Sequence, residues 1–376
     1  MKLLTYIIVQ TINWLFRKRS PALLVFRTGA SFIPIALVGG MAFNVQYETA
    51  TQLIKLDVAG SDVPTVLVCG GFALGIVLIL IGLIWEVVRS IIEHRRLTKK
   101  LVFAIEQRGL VNTSDSPLSD YIQKKHKGKS ISEIVIDIRD NLANGTVSQP
   151  ALALKKFLNL EHSVAERRNS VSAKDFHIIY SGLVPIPFAF LSGYMLDDES
   201  KIEVLDWDRQ LSSWKELDPF NDDNEKFEKT TNHANHAGHK GSIVLAVSFS
   251  YHVDEEAINL CFPNIPQVHL KLKEKRFDNH WSNKKQTRLA YDFIEEVKKI
   301  MEEGYDDIHL ILASQNSVAF RFGQAYDRRN LPQITIYQYE KDRKIPYPWG
   351  VSISNSPNTD PSIKQIEFTD HLKQAV

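Results

Sequence analysis

The sequence predicts an α/β protein: two fused Rossmann-like half-domains preceded by two transmembrane helices. Three observations predict it. Residues 63–85 carry no charge over 23 positions, and a helix crosses a bilayer core with about 20 apolar residues. A block beginning at Asp175 reappears without a gap at Asp307. Each copy reads as an apolar strand, a short polar loop, a helix and a second strand, the order that lays parallel strands into one two-faced sheet.

The membrane part comes first. Residues 3–16 are apolar but short for a span, so the segment 1–20 is expected to lie at the interface. Residues 28–47 are uncharged, and membrane helices tolerate Pro34 and Gly39-Gly40, so this is the expected first span of a two-helix region at 21–90. Arg17, Lys18, Arg19 and Arg27 precede it, while Arg89, Arg95, Arg96, Lys99 and Lys100 follow the second span. The loop at 48–62 has a single lysine. The excess of basic residues on the flanks puts both termini in the cytoplasm. A cleaved signal peptide lacks its basic n-region and its small-residue cleavage site. Gly71 and Gly75 form a GxxxG, which permits close helix approach. The two cysteines, Cys69 and Cys261, are too sparse for a disulfide framework and fit a reducing compartment.

Residues 86–110 read as a basic helix leaving the membrane, 111–130 as a polar linker and 131–143 as another helical piece. Residues 91–148 are therefore expected to be a helical connector before the duplicated domain at 149–376. Helical spacing returns at 149–169, and an offset of 132 residues places the helix at 150–171 over one at 282–303. In the repeat, Asp175/Asp307, His177/His309, Phe188/Phe320, Phe190/Phe322, Tyr194/Tyr326 and Ile202/Ile334 coincide. Matches that keep the same element order argue for duplication. IVLAVSFS at 243–250 and VHLKL at 268–272 add strands to the second unit, and 210–240 reads as a polar insertion.

The two strand-to-helix turns hold the candidate chemistry: Ser181-Gly182-Leu183-Val184-Pro185 and Ala313-Ser314-Gln315-Asn316-Ser317. Pro185 fits a first helical position, and Asn316 or Ser317 fits an N-cap. Free N–H groups at a helix start favour phosphate, and ligands of parallel sheets bind at the carboxyl ends of the strands. Two such turns facing one cleft would suit a ligand with several phosphates; capping alone is the plainer reading of either turn. Trp207, Tyr251 and Tyr339, with Trp214 and Trp281 further out, are placed for base stacking. Arg209 and Lys341 occupy matching positions after the second strand of each unit and could neutralise phosphate, as could Lys284 and Lys285.

Other chemistries find less support. No GxGxxG or P-loop is present, which removes the usual dinucleotide and nucleoside triphosphate mechanisms. His233, His236 and His239 recur every third position without a cysteine or carboxylate motif, so they read as loop and not as a metal site. No catalytic triad, HExxH or paired-carboxylate pattern stands out, and the chain is read as a non-enzyme. A net charge of +1 offers polymeric nucleic acid no general attraction.

From about residue 170 to 355 the chain resembles the SAVED domain, the cyclic-oligonucleotide sensor of bacterial CBASS antiphage systems. The residues that carry the resemblance are YSGLVPIPFAFLSGYML, EVLDWDR, IVLAVSFS and DDIHLILASQNSVAFRFGQAYDRRNLPQITIYQYE. SAVED domains resemble two fused CARF-like halves, in agreement with the duplication. The resemblance implies a cyclic di- or trinucleotide as activating ligand, with no further cofactor, and a partner nucleotidyltransferase that makes it. It also implies a ligand-induced homo-oligomer and damage to the bacterial inner membrane that stops phage growth. A head-to-tail contact between related but unlike halves can propagate into a filament. Two alternatives stay open: a membrane-anchored nuclease that degrades the signal, and a CARF-type CRISPR accessory sensor.

Overall fold

The computed structural model describes residues 21–39, 44–49, 52–57, 65–99, 101–110, 116–127, 129–143, 145–169, 176–197, 202–232, 241–327, 329–341, 343–356 and 359–366. The expected interfacial segment at 1–20 and the run containing His233, His236 and His239 lie outside these residues. The chain divides into two units, residues 1–98 and 99–376.

In the first unit α1 (Pro21–Gly39) leads to an antiparallel hairpin, β1 (Asn44–Thr49) with β2 (Gln52–Asp57), and then to α2 (Thr65–Lys99). The expected first span is therefore displaced towards the N-terminus, and its last residues, 44–47, are strand. NVQYET alternates polar and apolar residues, a period of two that a strand satisfies. Among the described residues, one helix is long and apolar enough to cross a membrane, through Val68–Glu93, and Pro21–Ile35 is a shorter apolar helix. Leu74, Leu80, Ile84 and Trp85 of α2 are exposed, a surface that suits hydrocarbon better than water.

The two helices touch backbone to backbone. A Cβ on Gly75 would stand 3.0 Å from the Gly29 carbonyl oxygen, and one on Gly82 would stand 3.0 Å from the Ala22 oxygen. Gly75 thus serves a contact inside the chain, and Gly82 repeats it two turns on. The substitution G75L is expected to separate the helices. Spin labels at the exposed positions Leu24 and Leu80 report it as a longer, broader distance distribution. An unchanged distribution would show that the glycines do not hold the pair.

The second unit begins with β3 (Leu101–Arg108), α3 (Leu118–Lys125), β4 (Ser130–Asp137) and the small hairpin β5 (Leu142–Ala143) with β6 (Thr146–Val147). There follow α4 (Pro150–Phe157), α5 (Leu160–Asn169), β7 (Phe176–Leu183), α6 (Ile186–Met195), β8 (Ile202–Asp208) and β9 (Ser213–Glu216). The second half comprises β10 (Glu228–Asn232), β11 (Ser242–Ser248), α7 (Glu255–Cys261), β12 (Gln267–Lys271), α8 (Asn283–Glu302), β13 (Asp307–Ala313), α9 (Asn316–Ala325), β14 (Gln333–Gln338), β15 (Trp349–Ile353) and β16 (Ser362–Gln365).

One sheet has the order β4-β3-β7-β8-β9 and the other β10-β12-β11-β13-β14-β15-β16. Within them β4-β3-β7-β8 and β12-β11-β13-β14 are parallel and mutually equivalent. The duplication is confirmed and reaches further than the sequence indicated. Its first half starts at β3, inside the expected helical connector.

Four local readings are corrected here. The basic helix ends at Lys99, and Val102 to Gln107 form a strand buried on both faces. Ile131, Ile134, Val135 and Ile138 have helical spacing, yet 130–137 pairs in full register with β3. For so short an apolar run periodicity cannot separate helix from strand, and the open edge of β3 decides it. In the expected linker, Leu118 and Ile122 stand one turn apart on α3 and are both buried. The polar insertion at 210–240 likewise contributes two edge strands, β9 and β10.

The halves join through α6 and α9. The sequence IPFAFLSGYM is apolar around the helix, and Pro187 through Met195 are buried. Its Gly193 and the Gly323 of α9 bring the helices into backbone contact: a Cβ on Gly193 would lie 1.9 Å from the Phe320 oxygen, and one on Gly323 would lie 2.0 Å from the Phe190 oxygen. Tyr180 of β7 stacks on Phe320 of α9 at 3.7 Å between ring centroids, so one apolar core runs through both halves.

Candidate functional site

Parallel strands end where their following helices begin, so the loops after β7, β8, β11, β13 and β14 gather on one side. A cleft of about 650 Å³ opens there, within the range of about 300–1,000 Å³ usual for ligand sites. Leu183, Trp207, Arg209, Tyr251, Ser314, Gln315 and Asn316 line it, as the sequence expected. Two smaller cavities share lining residues with it. One of about 340 Å³ includes Tyr251, Ser314 and Tyr339, and one of about 230 Å³ includes Pro185, Tyr339 and Lys341.

Three expected residues do not line these cavities. Ser181 and Gly182 belong to β7 and not to a turn, because the strand runs on to Leu183. The Ser181 hydroxyl donates to the Leu205 carbonyl at 3.1 Å. Gly182 makes room for a buried hydrogen bond: a Cβ there would stand 2.9 Å from the Tyr180 hydroxyl, which donates to Gln107 Oε1. Ser317 is buried, and its Oγ accepts from Gln286 Nε2 at 2.9 Å.

The expected phosphate cradle also changes character. Gln315, not Asn316 or Ser317, is the N-cap residue of α9, and its side chain makes no capping bond. Asn316 Oδ1 accepts from Val184 N–H at 2.8 Å and so ties the two turns together. The Asp206 carboxylate accepts from Ser317 N–H at 3.1 Å, which puts an internal anion at the helix start. Pro185 precedes the first helical residue of α6 instead of opening it. These N–H groups are thus spent inside the protein, and the positive charge facing the cleft comes from Arg209 and Lys215.

Arg209 and Lys341 are exposed. Lys215 is engaged: its Nζ lies 4.3 Å from the Trp281 ring centroid and 3.3 Å from Asp208 Oδ2. The Leu211 and Gln210 N–H groups, together with Lys215, hold the Asp208 carboxyl below its usual range. Lys285 is corrected as a phosphate ligand, since it is buried between Asp223 at 2.5 Å and Glu225 at 2.8 Å. Lys284 lines a separate shallow cavity beside Tyr291. Trp214 is buried with its Nε1–H donated to the Ser116 carbonyl at 2.9 Å, and its ring meets Trp207 edge-on.

Of the segment after β12 the sequence points only to Trp281, as a stacking residue further out. Phe277, Asp278, His280 and Trp281 all line the main cleft. Gln315 fastens this segment by donating to the Phe277 carbonyl at 2.7 Å, and Gln286 does so by donating to the His280 carbonyl at 2.6 Å. KEKRFDNHW has no periodicity, so only its aromatic residues could have marked it. His280 is 4 % exposed, and both its ring nitrogens lack a hydrogen-bond partner. An unmet buried polar group costs about 1–3 kcal/mol.

At the amino ends of β7 and β8, His126, His177 and Glu203 have the donor set of a metal site. Lysines already answer them: Lys125 donates to Glu203 at 2.6 Å, and Lys129 lies 2.8 Å from His126 Nδ1. Hydrogen bonds from His177 and then Lys125 lower the Glu203 carboxyl to about 2. The group is an ion-pair network.

A family described as the SAVED-fused 2TM effector domain matches residues 1–154. One described as the SMODS-associated and fused to various effectors sensor domain (SAVED) matches residues 160–353. Among solved structures, the Acinetobacter baumannii Cap4 SAVED/CARF-domain containing receptor with 3′3′3′-cAAA is 13 % identical, with a TM-score of 0.47 over 77 % of this chain and 60 % of that one. The same receptor with 2′3′3′-cAAA is 11 % identical, with a TM-score of 0.45 over the same shares. The Moraxella osloensis Cap4 receptor is 13 % identical, with a TM-score of 0.40 over 73 % of this chain and 54 % of that one. The chain spans three fifths or less of the length of these receptors. The comparison with curated proteins gave no match.

Proposed function

The chain belongs to the SAVED family and joins that sensor to a two-transmembrane effector domain of CBASS antiphage defence, and from this premise we propose that it is a ligand-gated membrane effector. The SAVED part binds a cyclic di- or trinucleotide supplied by a partner nucleotidyltransferase. Bound copies assemble, which gathers many pairs of α1 and α2, and the gathered helices permeabilise the inner membrane. Both termini stay in the cytoplasm, and no chemical step is needed.

The observation that carries this reading is the cleft. It lies between two related half-domains and presents Trp207, Tyr251 and Trp281 beside Arg209. Aromatic faces can stack bases at about 1–3 kcal/mol each, while a cation answers the backbone charge. Ligand can drive assembly only by favouring the assembled state. Helices that leak only when gathered then respond to ligand through local concentration.

The test uses the full chain in detergent micelles and in dye-loaded liposomes, with a panel of cyclic di- and trinucleotides that includes 3′3′3′-cAAA. The expected result is binding of at least one member, a rise in light scattering on its addition, and dye release only with that member. Tight binding and leakage without any change in assembly would replace the oligomer by a gate inside a preformed complex. Consumption of the ligand would favour the nuclease reading.

A further inference from the structure

Trp207-Asp208-Arg209 and Tyr339-Glu340-Lys341 share one order, aromatic, acid, cation, and lie 132 residues apart, the offset of the duplication. The first spans the end of β8 and the second directly follows β14, so each stands at the carboxyl end of the second strand of its repeat. That is the side on which the cavities open. The acids are buried and already held. Asp208 Oδ1 accepts from the Gln210 and Leu211 N–H groups at 2.9 and 3.1 Å, and Glu340 Oε1 accepts from Trp349 Nε1–H at 3.0 Å. The rings are braced by buried aromatic neighbours: Trp207 meets Trp214 edge-on at 4.9 Å between centroids, and Tyr339 meets Tyr347 at 5.6 Å. The cations, Arg209 and Lys341, are exposed and make no ion pair among the described residues.

The two tripeptides face cavities that adjoin. Trp207 and Arg209 line the cleft of about 650 Å³, Tyr339 lines the cavities of about 340 and 230 Å³, and Lys341 lines the smaller of these. Ile186, Tyr251 and Ser314 line both the cleft and the 340 Å³ cavity, and so form their common wall. Ile311, Leu312 and Tyr347 give the 340 Å³ cavity apolar walls, which suit a flat base. Tyr339 is 53 % exposed and therefore open to a ligand from solvent. A ring braced before the ligand arrives costs little further ordering when a base stacks on it. Lys341, in the cavity beside it, can answer the phosphate of the same nucleotide.

We propose that Tyr339 and Lys341 form a second nucleotide subsite, the counterpart of Trp207 and Arg209, so that one cyclic ligand is gripped by two of its nucleotides, one in each half. This rests on the cyclic-nucleotide reading and adds how the ring is divided between the halves. Tyr339 stacks one base and Trp207 another. A single nucleotide reaches one subsite at a time. A ring that spans the common wall engages the second subsite intramolecularly, and its affinity exceeds that of either contact alone.

Isothermal titration of the full chain in micelles, with 3′3′3′-cAAA, the rest of the panel and cyclic AMP as a one-nucleotide probe, tests the subsite. W207L and Y339L keep apolar bulk but lose the flat ring face. Each is expected to weaken binding of the ring about 5- to 150-fold, the factor of one stacked base. The double variant should lose the product of the two factors, because separate subsites act independently. Y339F keeps the ring face and should bind as wild type does. Cyclic AMP should bind at least about 100-fold more weakly than the ring. Thermal unfolding controls for folding, and the exposed Tyr339 should tolerate replacement. If W207L melts early, R209Q takes its place in the comparison, since Arg209 is exposed. Wild-type affinity in Y339L, a Y339F protein as weak as Y339L, a double variant no weaker than its weaker parent, or cyclic AMP bound as tightly as the ring overturns the second subsite and leaves the cyclic-nucleotide reading intact. No binding by any member of the panel overturns both.

Discussion

The substitution G193A is expected to abolish folding of the sensor domain. The added Cβ would lie 1.9 Å from a backbone oxygen of α9, a clash that no rotamer change can relieve. Overpacking of side chains costs about 1–3 kcal/mol where neighbours can shift. Here two central helices must separate, opening a core that includes the Tyr180–Phe320 stack. The loss should exceed about 4 kcal/mol, a large share of an ordinary domain stability of about 5–15 kcal/mol. G323A should behave alike, since its Cβ would meet the Phe190 oxygen at 2.0 Å. G304A is the comparison: it adds no contact and is strained only by its positive φ of 94°, so it should cost about 1 kcal/mol. Thermal unfolding and limited proteolysis of the full chain measure all three. A G193A protein that melts within a few degrees of G304A would show that the helices do not cross this closely.

Charge reversal at the two exposed cations should have the largest effect on ligand. R209E places a carboxylate in a cleft already lined by Asp206, Asp208 and Asp278, and K341E does the same in the adjoining cavity. Each is expected to weaken cyclic-nucleotide binding about 10- to 100-fold, or about 1.4–2.8 kcal/mol. The logarithm of affinity should also fall less steeply with salt, by about 0.7 for each phosphate no longer neutralised. Neither side chain is buried, so stability should stay within about 0.5 kcal/mol of wild type. Wild-type affinity and salt slope would remove that residue from the site. Loss in R209E alone would confine the ligand to the larger cleft.

Much of the architecture was legible because it rests on local signals that tertiary contacts reinforce. HIIY and HLILA are short apolar runs ended by a polar turn, the pattern of a buried strand, and β7 and β13 are central in their sheets. The offset of 132 residues aligned both strand–helix–strand blocks, so Arg209 and Lys341 were found as a pair. The equivalence of β3 and β4 to β11 and β12 was invisible. Those strands match in position within the sheet but share no clear residue pattern, and β4 mimics a helix in its spacing.

The site was legible where it follows a strand end and illegible where it follows a contact. Leu183, Trp207, Tyr251 and Ser314 sit just after or at the ends of strands, and sheet direction alone puts them in one cleft. The loop with Phe277 and His280 arrives through hydrogen bonds to Gln315 and Gln286, which no spacing encodes. Asp206 looked like an ordinary strand residue until its carboxylate met the Ser317 N–H, 111 residues away in the chain.

The sequence by itself determined the duplicated α/β class, the long apolar helix at α2 and the edge of the sheets at which the cleft opens, because side-chain periodicity and chain direction suffice for these. Only the tertiary structure decided that the Asp206 carboxylate already takes the Ser317 N–H at the start of α9, that Gly182, Gly193 and Gly323 serve packing and that the loop with Phe277 and His280 lines the cleft. Such facts depend on which polar groups find partners across the fold, and a linear pattern of residues does not specify the partners.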